Sequence, residues 1–436
     1  MRAAHAAAIW ALAASVACGE AKGSGVVTLR FWGMGREGEV VKEMIPEFER
    51  RNPGIRVSVQ QMPWTAAHEK LLTAYVGDAM PDVAQIGNTW ISEFEALSAI
   101  VRLDSLVERS PVIDPDAYFS GIWESNVIDG RAYGVPWYVD TRLIFYHKDL
   151  LAAAGYSRPP DNWREWREAM EKIKKQVGSD RYAIFLPTNE WAQPVILGMQ
   201  AGAPLLRGEG AGSYGFFRDP RFKRAFEFYV DLYRSDLAPR VGNTQMANVY
   251  QEFARGYFAM YITGPWNLGE FARRLPPEMA GRWSTAPLPG PDGPGVSTAG
   301  GSSLVLFRAS KHAAEAWKLI EYLSDREQQI RFYRLTGNLP ARKDAWQDSS
   351  LTASEHLRAF RDQLERVQPT PEVPEWELIA TRVLEHAESA IRGSATTDEA
   401  VAALDRDVDL ILEKRRWLIA RRAGKDVAAQ PAGPSP

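Results

Sequence analysis

The sequence predicts an α/β protein made of two lobes, and three features of the chain support this prediction. The chain has 436 residues, which is too long for one ordinary hydrophobic core. Near its start, buried-strand patterns alternate with amphipathic-helix patterns, which is typical of a mostly parallel sheet covered by helices. Later, residues 135–147 form an extended segment too long for one simple strand. We interpret this segment as a crossing between the lobes.

The first elements follow one another as strand, helix, strand, helix and strand. The apolar run of residues 26–32 predicts a strand, and the helix after it carries its apolar face on residues 40–48. Alternating apolar residues at 55–59 predict the second strand, residues 66–76 the next helix, and residues 83–87 the third strand. We expect the carboxyl ends of these strands to share one edge of a sheet, where α/β proteins bind their ligands.

Capping signals mark the helices that follow. The predicted helix starts are Asn162 with Glu165, Asp219 with Pro220, Ser324 with Glu327, and Thr396 with Glu399. The last of these helices is predicted to run over residues 398–423. Residues 424–436 end in Pro-Ala-Gly-Pro-Ser-Pro, a composition that predicts a disordered tail.

Residues 252–267 form a helix-to-strand-to-loop unit whose end is central to the predicted site. Gly256 ends a helix, residues 257–262 are a strand covered on both faces, and a further helix begins near Leu268. Trp266 and Asn267 therefore lie at the carboxyl end of the strand. An indole beside an amide at such a point suits a polar ligand with apolar faces, such as a sugar ring. The alternative interpretation is a Trp that caps the core.

Other polar and aromatic residues lie at predicted strand ends and turns. Carboxylates, amides and guanidinium groups exchange hydrogen bonds with sugar hydroxyls, and indoles cover the apolar ring faces. Each residue taken alone could be a surface or capping group, and Trp64 could instead pack under the helix that follows it. Their grouping at strand ends favours a binding site. The candidate ligand-binding residues are Arg36, Glu37, Trp64, Asn88, Trp90, Asp140, Trp191, Trp266, Asn267, Gly301 and Ser302.

The N-terminal residues predict export. Met1-Arg2 precedes a short Ala-rich apolar run, and the small residue Ala17 precedes Cys18, the only cysteine. A cysteine directly after a cleavage site is typical of a bacterial lipoprotein, so we expect Cys18 to be acylated and residues 1–25 to act as signal peptide and linker. Ser15-Val16-Ala17 would also suit an ordinary signal peptidase, which leaves a soluble exported protein as the alternative.

Several chemistries find no support in the chain. The net charge of −3 gives no reason to expect nucleic acid or an anionic membrane surface as a partner. The six His have no metal-ligand spacing, and no nucleotide-binding or hydrolase motif appears, so we expect neither metal nor cofactor. A glycoside hydrolase would need two convergent carboxylates, such as Glu37 with Asp140, and stays open as an alternative.

Five segments together resemble the extracellular solute-binding proteins of ABC importers, in their carbohydrate-binding branch. The resemblance covers residues 26–420, and the run from Lys148 to Pro160 is especially similar to trehalose and maltose binders. The five segments are Phe48-Glu-Arg-Arg-Asn-Pro-Gly-Ile55, Gly77-Asp-Ala-Met-Pro-Asp-Val83, residues 133–151, residues 253–266, and Ala299-Gly-Gly-Ser-Ser303.

The resemblance implies a type II periplasmic-binding fold, with a mostly parallel sheet and flanking helices in each lobe. Residues 26–138 and 297–345 would form lobe I, and residues 139–296 and 346–423 lobe II. A di- or oligosaccharide would be held in the cleft, and hinge closure would present it to the transmembrane subunits of an ABC permease. The protein is expected to be a monomeric binder and not an enzyme. We expect it in the periplasm or on the outer face of the cell membrane, held there only by its lipid.

Individual residues carry the resemblance into the site. Glu37 and Asp140 match acidic ligand contacts of the trehalose and maltose binders, while Trp90 and Trp266 match their aromatic positions. The chain departs from them at Gly87, where they carry an Asp, and at Ser302, where they carry a Trp. The class of ligand is therefore implied, and trehalose or maltose itself is not. A ligand-presenting protein for a membrane sensor, or a non-sugar ligand such as a polyol phosphate or peptide, stay as alternatives.

Overall fold

The computed structural model describes residues 25–208 and 214–422. The acylation expected at Cys18 and the tail expected at 424–436 lie outside these residues. The strands are β1 (Val27–Met34), β2 (Ile55–Met62), β3 (Val83–Gly87), β4 (Val127–Ile128), β5 (Arg131–Ala132), β6 (Val135–Asp140), β7 (Leu143–His147), β8 (Tyr182–Phe185), β9 (Leu206–Arg207), β10 (Tyr214–Gly215), β11 (Phe258–Thr263), β12 (Trp283–Ala286), β13 (Ser297–Thr298), β14 (Gly300–Leu306), β15 (Leu339–Pro340) and β16 (Val367–Gln368).

Helices precede, follow and cover these strands. The α-helices are α1 (Gly35–Arg51), α2 (Trp64–Val76), α3 (Ile91–Ala96), α4 (Asp104–Val107), α5 (Ser120–Glu124), α6 (Lys148–Ala153), α7 (Trp163–Val177), α8 (Ala192–Gln200), α9 (Pro220–Arg234), α10 (Val249–Ala254), α11 (Trp266–Arg274), α12 (Ala313–Ser324), α13 (Arg326–Thr336), α14 (Ser349–Thr352), α15 (Glu355–Leu364), α16 (Trp376–Arg392), α17 (Thr397–Ile411) and α18 (Glu413–Arg422).

The larger sheet forms the first lobe and has the strand order β15-β6-β14-β3-β1-β2. β1 pairs in parallel with β2 and with β3, so the βαβ order predicted at the start of the chain is confirmed. β14 runs antiparallel to β3 and to β6. The carboxyl ends of β3 and β6 therefore lie at the same edge as the start of β14, and that edge faces the second lobe.

The smaller sheet forms the second lobe and has the strand order β12-β7-β11-β8. β11 pairs in parallel with β8 and antiparallel with β7. All six residues of β11 are buried, as its continuous apolar run predicts for a strand covered on both faces. α11 begins three residues after β11 ends, so it starts at the carboxyl end of a central strand.

The crossing predicted at residues 135–147 is confirmed, because β6 belongs to the first sheet and β7 to the second. The chain returns through residues 297–300 beside it. The Thr141 hydroxyl donates to the carbonyl of Thr298 at 2.9 Å, and the Ser297 hydroxyl donates to the carbonyl of Arg142 at 2.9 Å. β16 pairs in parallel with β13 and adds a third segment. We call residues 140–142, 297–300 and 367–368 the crossing unit.

Four predicted boundaries are wrong. α11 begins at Trp266 and not near Leu268, and β14 begins at Gly300, four residues before the apolar run that predicted it. Ser324 is the last residue of α12 and caps nothing; α13 is capped by Asp325, whose extended backbone lets its carboxylate accept from the amide of Glu327. The last helix is two helices, α17 and α18, which meet at the fully buried Leu412.

Candidate functional site

A cleft with a volume of about 1080 Å³ lies between the lobes, at the ligand-binding edge of the first sheet. The first lobe contributes the starts of α1 and α2, the end of β6, the start of β14 and the end of α13 with the loop after it. The second lobe contributes α11 and the residue before it. The lining residues are Arg36, Glu37, Trp64, Tyr138, Val139, Asp140, Gly301 and residues 333–338 from the first lobe, and Pro265, Trp266, Leu268, Gly269, Glu270 and Arg273 from the second.

Six of the sequence-predicted site residues meet in this cleft. They come from five separate parts of the chain, which the two sheets bring to one place. These residues are Arg36, Glu37, Trp64, Asp140, Trp266 and Gly301.

Three predicted polar residues are used by the fold and do not line the cleft. The Asn88 amide donates to the carbonyl of Ala299 at 2.8 Å and ties the end of β3 to the crossing unit. The Ser302 hydroxyl donates to the carbonyl of Ile86 at 3.0 Å, and the residue is buried. The Asn267 amide nitrogen donates to the Thr263 hydroxyl at 2.7 Å. Because their polar groups are used in these hydrogen bonds, the three side chains have structural roles.

Two predicted Trp residues also lie outside the cleft lining. The Trp90 ring packs against the Trp64 ring at 5.8 Å and against the His68 ring at 4.9 Å, so it supports Trp64 from behind. Trp191 packs edge-on against Trp376 at 5.5 Å, next to α8. Trp90 therefore acts on the cleft through Trp64.

Acidic groups on the first lobe are held by neighbours that the sequence did not identify. Glu37 is buried, and its Oε1 accepts a hydrogen bond from the Asn338 amide at 2.7 Å. Burial, with Glu37 and Asp140 nearby, raises the pKa of Tyr138 well above its ordinary value. The Tyr138 phenol is therefore a protonated group beside the two carboxylates, and its oxygen accepts a hydrogen bond from the Gln85 amide at 3.4 Å.

Arg142 connects the two lobes beneath the cleft. Its guanidinium donates to Asp140 Oδ1 at 3.2 Å and lies 4.4 Å from the centre of the Trp266 ring. Its Nε is 4.0 Å from Glu190 Oε2. Burial raises the pKa of Asp140, against the lowering effect of this guanidinium. One cation therefore orients the carboxylate of the first lobe and the indole of the second.

The second wall of the cleft is one face of α11. Trp266 is 44% exposed, which is unusual for so large an apolar side chain in this fold. Glu270 and Arg273 follow it at spacings of four and seven, so all three lie on the same helical face. This wall offers an indole, a carboxylate and a guanidinium to a ligand.

Two glycines at the start of β14 let this strand approach β6 closely. A Cβ on Gly300 would lie 2.2 Å from Asp140 Oδ1, and one on Gly301 would lie 2.3 Å from the carbonyl of Tyr138. Gly301 also has φ of +122°, which is costly for other residues. The Gly-Gly pair is therefore required by the close packing beneath the cleft.

Sequence reasoning missed Tyr138, Arg142, Glu270, Arg273 and Asn338. Two of these had a usable signal. Tyr138 is two residues before Asp140 on one strand, so both side chains point to the same face. Glu270 is one turn after Trp266, but the helix was predicted to begin too late for that pairing to be seen. Asn338 reaches Glu37 across 301 positions of the chain, and no local pattern predicts such a contact.

The described residues hold no group of three or more His, Cys, Asp or Glu that could bind a metal ion. In the same part of the chain, no helix is both long and apolar enough to cross a membrane.

Comparison with known proteins decides the family. Residues 33–330 match the family described as bacterial extracellular solute-binding protein. The chain belongs to this family. Within it, the chain falls in the carbohydrate-binding branch that serves ABC importers, as the sequence motifs predicted.

Solved structures place this solute-binding protein among two-lobe type II folds. The sugar-binding protein MalE from Xanthomonas citri is 50% identical, with a TM-score of 0.88 over 91% of this chain and 100% of that one. A solute-binding protein from Thermotoga lettingae, bound to α-D-tagatose, is 25% identical with a TM-score of 0.74, over 88% of this chain and 100% of that one.

A more distant relative is the galactooligosaccharide-binding protein of Bacillus subtilis. It is 25% identical over 394 residues, which cover 88% of this chain and 87% of that protein. The predicted fold class is therefore confirmed, and the family consists of binding proteins.

Proposed function

We propose that this solute-binding protein captures a di- or oligosaccharide in the cleft between its lobes and delivers it to an ABC permease. The observation that carries the proposal is the two-walled lining of the cleft. Glu37, Trp64 and Asp140 face it from the first lobe, and Trp266 with Glu270 from the second. Because both lobes offer indoles or carboxylates, a sugar that touches both stabilises the closed arrangement by its differential affinity.

The size of the cleft supports a ligand larger than a monosaccharide. Small-molecule pockets span about 300–1,000 Å³, and the cleft of about 1080 Å³ is slightly larger than that range. In this proposal Trp64 and Trp266 cover ring faces, while the carboxylates of Glu37, Asp140 and Glu270 accept hydrogen bonds from hydroxyls. Arg36 and Arg273 donate to ring or glycosidic oxygens.

The proposed role is binding without turnover. Each of the two carboxylates that a hydrolase would need already has a partner: Asn338 holds Glu37, and Arg142 holds Asp140. Membership in a family of binding proteins supports the same proposal. A purified protein that leaves its sugar unchanged over long incubation would agree with it, and consumption of the sugar would contradict it.

The cellular location, the oligomeric state and the lobe boundaries of the protein are also proposed. We propose export with a lipid at Cys18, a monomer, and transmembrane permease subunits as partners. We also propose lobe I as residues 26–138 with 297–345, and lobe II as residues 139–296 with 346–423. The two sheets support this division except at Val139 and Asp140, which belong to β6 of the first sheet.

The decisive experiment combines a sugar screen with one variant. Thermal-shift measurements against mono-, di- and oligosaccharides would identify a ligand, because a ligand at 100 times its Kd adds about 2.7 kcal/mol to stability. Calorimetric titration should then show that Trp266→Ala weakens the affinity at least tenfold, a loss of about 1.4 kcal/mol. Trp417→Ala is the matched control, because that indole is 47% exposed and does not line the cleft. Equal affinities of the two variants would contradict the site.

A further inference from the structure

The last two helices present a row of exposed side chains that the cleft does not use. Leu410 is 69% exposed, Trp417 47% and Leu418 39%, and Lys414 and Arg421 are also exposed. Lys414, Trp417, Leu418 and Arg421 lie on one face of α18, at spacings of three, one and three, and Leu410 lies four residues before Lys414, near the end of α17. We call Leu410, Lys414, Trp417, Leu418 and Arg421 the C-terminal stripe.

The opposite face of α18 is packed against the protein. Leu412, where α17 and α18 meet, is fully buried. The Arg415 guanidinium lies 3.8 Å from Glu375 Oε2, and that of Arg416 lies 4.7 Å from the centre of the Tyr214 ring. Because these contacts fix the inner face, the stripe is held outward on the second lobe.

The charge of this helix differs from that of the chain. α18 reads Glu-Lys-Arg-Arg-Trp-Leu-Ile-Ala-Arg-Arg, five cations and one carboxylate, whereas the whole chain has a net charge of −3. The net charge of the whole chain gave no reason to expect an anionic membrane surface as a partner. That value sums over residues that lie far apart, so it does not report the local charge of α18. On the stripe itself, Arg421 lies 5.1 Å from the Trp417 ring centre, which joins a cation to the apolar row.

We propose that the C-terminal stripe docks on a lipid surface that carries anionic headgroups. Trp and Leu side chains enter the boundary between headgroups and acyl chains, and Lys and Arg pair with the headgroup phosphates. On the exposed face of α18 the apolar residues Trp417 and Leu418 lie between two cations, Lys414 and Arg421, as docking on anionic headgroups requires. Such docking would hold the second lobe at the membrane, independently of any sugar in the cleft.

Vesicle flotation tests this proposal. Protein that begins at Gly25 retains every described residue and lacks Cys18, so that no acyl chain contributes to binding. We expect this protein to bind phosphatidylglycerol vesicles and to dissociate from them as the salt concentration is raised. It should not bind phosphatidylcholine vesicles. Two double variants should each lower the vesicle partition coefficient at least tenfold. They are Lys414→Glu with Arg421→Glu, and Trp417→Ala with Leu418→Ser.

Matched variants control for general charge and exposure. Lys42→Glu with Lys175→Glu changes the same charge on exposed positions of α1 and α7, and Val76→Ser removes an apolar side chain that is 86% exposed. These variants should bind vesicles as the parent does. Absence of vesicle binding by the parent, or equal losses in stripe and control variants, would overturn the proposal. So would binding to permease subunits alone with no affinity for vesicles. A sugar titration of the stripe variants should be unchanged, which separates this test from that of the cleft.

Residues 423–436 offer an alternative occupant of the stripe. A chain that ends at Arg422 tests this directly. Vesicle binding that is equal in the shortened and full chains supports a stripe open to lipid. Binding that appears only after the shortening would show that the chain's own terminus occupies the stripe and would overturn docking by the full protein.

Discussion

Arg142 shows how one residue can organise a binding cleft without lining it. It lies in the crossing unit, two residues after Asp140, and its guanidinium contacts a carboxylate of one lobe and an indole of the other. A partly buried cation is stabilised by such partners, because a charge shielded from water without them is costly. Replacing the carboxylate that Arg142 holds should therefore affect both sugar binding and stability.

Asp140→Asn should weaken sugar binding about tenfold or more, since hydrogen bonds to a charged acceptor contribute about 1.5–3 kcal/mol. Relative to the parent, the variant should gain stability as the pH rises through the pKa of Asp140. Burial raises the pKa of Asp140, so its ionised form costs stability above that pKa, and the cost disappears as the pH falls through it. Calorimetric titration and thermal unfolding measure the two effects.

The pH dependence of binding supplies the control for this residue. In the parent protein, sugar affinity should fall as acid protonates Asp140, and the fall should begin above the pH at which an ordinary Asp titrates. Asp140→Asn should lack this part of the profile. Identical profiles in both proteins would show that Asp140 does not contact the ligand as an ionised group.

At the scale of elements, each wall of the cleft depends on where a helix starts or ends. The second wall exists because α11 begins at Trp266 and so presents Trp266, Glu270 and Arg273 on one face. On the first lobe, α13 ends at Thr336 and delivers Asn338 to Glu37. Weakening the start of α13 should therefore destabilise the helix that positions Asn338 beside Glu37.

Asp325→Ala removes the N-cap of α13 and should lower the free energy of unfolding by about 1 kcal/mol. Chemical denaturation measures this change. Ser324→Ala is the comparison, because the sequence pattern had assigned the cap to Ser324, which instead ends α12. A larger loss from Ser324→Ala with no loss from Asp325→Ala would contradict the cap seen in the structure.

At the scale of the whole molecule, the crossing unit joins the lobes by three neighbouring chain segments. Hydrogen bonds from Thr141 to Thr298 and from Ser297 to Arg142 hold two of these segments together. Backbone bonds from Ser297 to Arg366 and from Ala299 to Gln368 add the third. A compact connection of this kind lets two rigid lobes rotate about one place, which is how hinge closure works.

Sugar binding should therefore reduce the radius of gyration, as measured by small-angle scattering at saturating ligand. Trp266→Ala should need at least tenfold more sugar to reach the same compaction, because a wall contact contributes only when the lobes close. Trp417→Ala should behave as the parent does. An unchanged radius with fully bound sugar would contradict closure about the crossing unit.

Patterns in the sequence were enough to predict the two-lobe α/β class, the crossing at 135–147, and Trp266, Glu37 and Asp140 as candidates for one site. These follow from local signals, namely apolar periodicity, turn residues and the positions of strand ends, which act over a few residues. Family motifs added the carbohydrate-binding branch. The structure confirms the fold and brings six predicted site residues into one cleft.

Which polar groups remain available to a ligand depends on contacts that form only when the chain folds. Asn88 and Ser302 lie at strand ends as predicted, yet each donates to a backbone carbonyl more than 200 positions away. Buried polar groups need partners, and those partners come from segments whose proximity exists only after folding. For the same reason the cation that links Asp140 to Trp266 could not be found from the spacing of residues along the chain.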